Sequence, residues 1–311
     1  MTSKALKSKK RSARLTIMPI ICLAITLLML VFSGPIEEAV IRGINLAALR
    51  IIPTLFPFMV LSDLWVSSVG ADNDNFLFKS ISRLLGISRE STISLLIGIF
   101  CGFPLGVKSA ASLYENKIIS QDELSHLAPL INLPSLAFVV SGVGAGIYKS
   151  AFIGILLYFS TLTASIFISS FNRSKKKSVQ NMGFIPRQNF NLVESIKKAG
   201  MSSVIVASYI IFFSAVIGLV SAMSGSPLFS TLLSTVFEVG NSVSLIGAFE
   251  FPIYIKLPLT AFALGFSGLS VHFQAFVFLP EEVSRKDYLI KKLLIGLLSA
   301  IIMLPFVLFQ N

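Results

Sequence analysis

Charge, cysteine and histidine are all scarce in this chain of 311 residues. Only 13% of its residues are charged, about half the usual share of a soluble domain. With 54% hydrophobic residues and a mean hydropathy of +0.82, a soluble fold of this length could not hide its apolar surface from water. An ordinary soluble enzyme and a disordered protein are excluded on those grounds. The two cysteines, Cys22 and Cys101, lie inside apolar runs, which excludes a disulfide scaffold and CxxC chemistry. Two histidines cannot build a histidine-rich metal site. HExxH, GxSxG, P-loop and paired-carboxylate signatures are missing as well, so no enzyme activity is expected, and neither is a cofactor or a metal. Gly142-Val143-Gly144-Ala145-Gly146 is rich in glycine but lacks a strand–helix context, and close helix packing accounts for it.

What is present is apolar sequence in blocks. The net charge of +11 gathers in two clusters: Lys4, Lys7, Lys9, Lys10, Arg11 and Arg14, and then Arg173, Lys175, Lys176, Lys177 and Arg187. Beside apolar segments such clusters mark cytoplasmic loops that touch anionic lipid, so the expected partner is a lipid bilayer and not nucleic acid. The fold class expected is an all-α polytopic membrane protein. Segment 15–32 reads as a first span retained in the membrane, because its apolar stretch is longer than a usual signal-peptide core. Segment 38–50 reads as an amphipathic surface helix and 51–69 as a span. A second surface helix is expected at 76–85. Segments 91–113 and 126–146 are apolar but interrupted, by Gly102, Pro104 and Gly106, and by Asn132, Pro134 and three glycines. Segment 147–171 spans, 193–200 is amphipathic, and 201–222 spans. A short helix at 227–239 should end at Gly240-Asn241-Ser242. Segment 251–279 is broken by Pro252, Pro258, Gly265 and Gly268, and 289–309 is the last span.

This order of elements occurs twice. Three regions follow: a basic cytoplasmic N-terminus at 1–14, a first membrane repeat at 15–146, and a second at 147–311 that contains a basic loop at 172–191. The best local match sets Gly102-Phe103-Pro104-Leu105-Gly106-Val107-Lys108 beside Gly265-Phe266-Ser267-Gly268-Leu269-Ser270-Val271-His272, which places Lys108 opposite His272. Duplicated halves with helix breaks at matching positions point to a secondary transporter. Five apolar segments separate the two basic clusters, and both clusters should be cytoplasmic. One of the interrupted segments is therefore expected to enter and leave on the same side.

Polar groups inside apolar segments supply the candidate substrate-binding residues. A lysine at membrane depth costs about 2.5–3.5 kcal/mol, so Lys108 either faces a cavity or sits at the surface. His272 and Gln274 are surrounded by apolar sequence. The breaks matter more, because the second half-helix of each presents free N–H groups and a partial positive charge, which favour carboxylates and phosphates. Gly102, Pro104 and Gly106, Asn132, Pro134 and Ser135, Asn241 and Ser242, and Gly268 and Ser270 complete the set. Lys256 is a further cation near the pathway, and Glu238 and Glu250 are candidates for H⁺ or Na⁺ coupling. The expected solute is a small anion or hydrogen-bonding molecule.

The run from Gly102 to Lys108, with Leu113-Tyr114-Glu115-Asn116 and Ile118, resembles the YlbJ-type sporulation integral membrane proteins. So does Gly265-Phe266-Ser267-Gly268-Leu269-Ser270-Val271-His272-Phe273-Gln274. The resemblance covers roughly 40–298. It implies the nucleoside-recognition Gate superfamily, similar to concentrative nucleoside transporters and to the gate part of ferrous-iron transporters. It also implies movement of dipicolinic acid from the mother cell toward the forespore, at the outer forespore membrane. One departure is Leu133, where the family tends to have a second asparagine after Asn132. A nucleoside or metabolite carrier and a non-transporting membrane scaffold remain as alternatives. A homo-oligomer is compatible with all three.

Overall fold

The computed structural model describes residues 18–68, 76–171 and 191–308. The charged residues of both basic clusters lie outside the described residues. Among the described residues there is no strand, and five helices are long and apolar enough to cross a membrane: Ser33–Leu64, Ala151–Ser170, Leu192–Ser224, Ile253–Phe278 and Arg285–Phe306. The chain is an all-α polytopic membrane protein.

Helix α1 (Met18–Val31) is followed by α2 (Ser33–Leu46), a π-helical turn at Ala47–Ile51, and α3 (Ile52–Ser68). The expected surface helix at 38–50 and span at 51–69 are thus one continuous helix. Pro53 has no N–H to give the Leu49 carbonyl, and the backbone absorbs that loss by widening one turn directly before it, without breaking. At 1.5 Å per residue the 32-residue rod is about 48 Å long, more than a hydrocarbon core of about 30 Å. Its charged end, with exposed Glu38 and Arg42 paired at 3.5 Å, therefore extends beyond the core.

The same correction applies to 193–200 and 201–222, which form a single helix α9 (Leu192–Ser224). Helices α2–α3 and α9 run antiparallel along their whole length. Ala39 meets Gly218, Gly43 meets Ser214, Ser203 Oγ reaches Met59 Sδ at 3.5 Å, and Ser195 Oγ donates to Asp63 Oδ2 at 2.7 Å.

The interrupted segments take two shapes. Helices α5 (Arg89–Cys101) and α6 (Leu105–Glu115) fold back on each other as a hairpin: the Ser94 and Ser109 hydroxyls are 2.8 Å apart, and a Cβ on Gly106 would lie 2.8 Å from the Cα of Gly98. Helix α4 (Phe76–Leu85), at the expected bounds, precedes this hairpin. After α7 (Gln121–Ile131) the chain is extended from Asn132 to Ser135 and continues into a π-helical segment, Phe138–Ile147, packed on α8 (Ala151–Phe171). Ser120 caps the start of α7, Glu123 N donating to its Oγ at 3.2 Å, while the Glu123 carboxylate accepts from Ser88 N at 2.6 Å and Ser91 Oγ at 2.7 Å at the start of α5.

In the second half, α10 (Pro227–Phe237) and α11 (Val239–Ala248) turn at Glu238 and pack on one another, whereas α12 (Ile253–Phe266) and α13 (Gly268–Phe278) meet at Ser267 without folding back. The expected break at Gly240–Ser242 is a correction: the break is Glu238, and Gly240 to Ser242 form the first turn of α11. Helix α14 (Arg285–Leu308) packs closely on α12. Pro258 sits inside α12 without ending it.

Candidate functional site

The breaks lie against each other in two pairs. In the first, Gly102 has φ +76, the left-handed region that favours glycine, and a Cβ there would run into the backbone of Ser135. Phe103 N donates to Leu133 O at 2.7 Å, which ties the hairpin tip to the extended run after α7. In the second, Gly268 has φ +75, and its Cβ position is 3.1 Å from Glu238 N. The α12–α13 break thus leans on the α10–α11 corner.

The two pairs converge on one pocket. Phe103, Ser135 and Phe138 come from the first pair, and Glu238, Val239, Val271 and Gln274 from the second, while Thr54 and Val206 close the sides. Its volume is about 20 Å³, the space of a single water-sized particle. Its polar groups are few. Glu238 is 1% exposed and caps α11: Gly240 N donates to Oε1 at 2.8 Å and Asn241 N to Oε2 at 2.5 Å. Gln274 Nε2 donates to Ser270 Oγ at 3.3 Å, and Gln274 Oε1 is buried without a partner.

A larger cavity of about 290 Å³ opens one to two turns farther along the same helices. Met59 and Asp63 continue the α3 face that carries Leu55, and Ser202 and Lys198 continue the α9 face that carries Val206. Lys108 lines this vestibule. Its Nζ donates to Ser202 Oγ at 2.9 Å and lies 5.8 Å from the Phe278 ring centre. Lys198 Nζ is 3.6 Å from Asp63 Oδ2 on the same wall. Of the two placements open to Lys108, the cavity is the one found.

The structure does not place His272 across from Lys108. His272 is fully buried on the opposite face of α13, with its ring edge-on to Phe266 at 4.9 Å and to Tyr288 at 5.5 Å. The one-residue insertion in the local match explains this, since it sets Val271, not His272, on the pocket wall. Asn241 turns away too, its Nδ2 donating to Ser214 Oγ at 2.9 Å. Ser242 is buried and lines neither cavity. Pro104 and Pro134 are buried at their breaks, and Gly106 packs in the hairpin. Lys256 caps the end of α11, donating to Gly247 O at 3.0 Å, and Glu250 is exposed.

Comparison with known proteins adds one relative. The sporulation integral membrane protein YlbJ of Bacillus subtilis (strain 168) is 25% identical over 312 aligned residues, which cover 85% of this chain and 76% of YlbJ. The chain is similar to YlbJ along most of its length. No family model matches the chain, and no solved structure matches it.

One group in this YlbJ-like chain escapes the sequence pattern. Lys292 is fully buried in α14, and its Nζ donates to the backbone carbonyl of Asn132 at 2.8 Å, at the end of α7. Asn132 Nδ2 in turn donates to Tyr288 OH at 2.5 Å. Asn132 is therefore held from behind, by α14, and does not face the pocket. In the sequence, Lys291-Lys292 near the start of an apolar run looks like an interfacial pair. The four-residue step from Tyr288 to Lys292, which puts both on one helix face, was the available signal.

Proposed function

We propose that the chain is a permease for a small anion, dipicolinic acid during endospore formation, working by alternating access at its helix breaks. The observation that carries this reading is the convergence of two break pairs on one pocket, with a separate vestibule farther along the same helices lined by Lys108 and Lys198 and by the carboxylates of Asp63 and Glu115. Irregular backbone at membrane depth survives only where protein or water satisfies it, and a scaffold has no use for it. Broken helices from duplicated halves are where transporters bind solute and ion near the midplane.

The halves of this proposal are 15–146 and 147–311, related by inversion and matched hairpin to hairpin. The α5–α6 hairpin corresponds to the α10–α11 corner, and the α7 break to the α12–α13 break. Positive-inside orientation then puts the start of α9 in the cytoplasm, next to the basic loop, and the vestibule with Lys198 opens to that side. Four crossings separate the two basic clusters: α1, α2–α3, α7 with its π-helical continuation, and α8. The α5–α6 hairpin enters and leaves on one face. The membrane in question is the outer forespore membrane, and the nucleoside-recognition Gate resemblance fits the paired breaks.

Binding to the purified protein tests the reading. Radiolabelled dipicolinate should bind the wild type, and Lys108→Ala should weaken it about tenfold or more, the scale of one charge-assisted contact. Lys108→Arg should restore little, because the planar guanidinium does not replace a compact ammonium. Absence of dipicolinate binding, with a nucleoside bound in its place, would favour a nucleoside carrier. Absence of both would favour the scaffold.

A further inference from the structure

The vestibule carries charges of both signs, and they are not evenly paired. On the wall made by α3 and α9, Asp63 Oδ2 accepts from Ser195 Oγ at 2.7 Å and lies 3.6 Å from Lys198 Nζ. Lys108, on α6, has no carboxylate at ion-pair distance among the described residues. Its ammonium donates to Ser202 Oγ at 2.9 Å, and Ser202 donates in turn to the Lys198 carbonyl, one turn back on α9, at 2.9 Å. Asp63 and Lys198 are also the charges close enough to act on the Lys108 ammonium. The three groups therefore share one region of the cavity, with one cation taken and one open. Glu115 lies two turns farther along α6 and is exposed.

The taken cation is not tightly held. The Asp63 and Lys198 side chains keep 26% and 39% of their surface open, and an ion pair that water reaches contributes little. Lys198 also has three donors, so its ammonium can turn from Asp63 to another carboxylate. Met59 and Phe278 line the same cavity of about 290 Å³ and offer apolar surface to a planar ring. A ring with one carboxylate needs only Lys108. A second carboxylate on that ring has Lys198 to gain, and there it competes with Asp63.

We propose that Asp63 is a specificity-determining residue of the vestibule: it stands in for a solute carboxylate at Lys198 and is displaced by a dicarboxylate. This deepens the permease reading and rests on its placing of the anion at Lys108. In the empty vestibule Asp63 keeps Lys198 balanced. When a dicarboxylate binds, Lys108 takes one of its carboxylates and Lys198 exchanges Asp63 for the other.

The exchange is read as a ratio of affinities. Dipicolinate and picolinate, the same ring with one carboxylate, are bound at equilibrium to the full chain purified in detergent. The ratio of their Kd values does not depend on how much of the protein is folded. Asp63→Asn removes the competitor but still accepts from Ser195, and it should raise the preference for dipicolinate about twofold to fivefold, the range of a half-exposed ion pair. Asp63→Ser serves if that variant fails to fold. Lys198→Gln should lower the preference about fivefold or more, because the second carboxylate loses its cation. A ratio unchanged in either variant, or lowered in Asp63→Asn, would overturn the assignment and leave the permease reading standing. Isophthalate and benzoate repeat the comparison on a ring without nitrogen. Isophthalate binding with the same shifts, and no dipicolinate binding, would remove the dipicolinate reading and leave the role of Asp63 standing. A wild type that binds neither dicarboxylate would overturn that role.

Discussion

Three residues do different work in what looks, in sequence, like one class of intramembrane polar group. Lys108 reaches the larger vestibule and shares Ser202 with the backbone of α9. Glu238 spends its carboxylate on a helix N-terminus. Lys292 is buried outright and supports the end of α7. Depth in an apolar run marks such groups as costly, but for the two lysines it does not identify the neighbour that offsets the cost, because Ser202 is 94 residues from Lys108 and Asn132 is 160 residues from Lys292. Tyr288 makes this concrete. Its hydroxyl accepts from Asn132 Nδ2 at a fully buried position. Tyr288→Phe leaves that amide without a partner and should destabilise the fold by about 1–3 kcal/mol. A detergent-solubilised denaturation curve reads it, and an unchanged midpoint would show that the amide finds another acceptor.

At the scale of elements, the breaks were legible and the shapes around them were not. Gly102-Phe103-Pro104 and Asn132-Leu133-Pro134-Ser135 announce interruptions because proline removes a donor and glycine permits a positive φ. Whether a helix then folds back or passes on depends on what packs beside it, and similar letters gave opposite results. Gly102 leads into a hairpin, while Gly265 lies one residue inside a helix that passes on. The converse error came from Pro53, where one widened turn joined two expected helices into a single rod. The hairpin reading makes a signed prediction. Helix propensity alone would have Gly98→Ala stabilise by up to about 1 kcal/mol. In the hairpin, the added methyl at Gly98 would sit 2.5 Å from Ile131 O, and at Gly106 it would sit 2.8 Å from Gly98 Cα. Both alanine variants should therefore destabilise by about 1–3 kcal/mol in thermal melting. Gly200→Ala in α9, where nothing lies within 4 Å, should show the opposite sign.

Across the whole molecule, the membrane class followed from composition, and the duplicated order of elements led toward the break pairs. The best-matching letters of the expected repeat join a hairpin tip to a passing helix, so they do not pair elements of the same shape. The proposed path would join two separate cavities that lie along the same helices: a vestibule with Lys108 and Lys198, and the pocket with Glu238 and Gln274. A path of that kind is a statement about movement of solute. Uptake of radiolabelled dipicolinate into sealed proteoliposomes, with wild type and Lys108→Ala reconstituted to equal density, tests it directly. The account predicts time-dependent uptake by the wild type and a loss of about tenfold or more in the variant. Wild-type uptake no greater than that of protein-free liposomes, or equal uptake by both proteins, would contradict it.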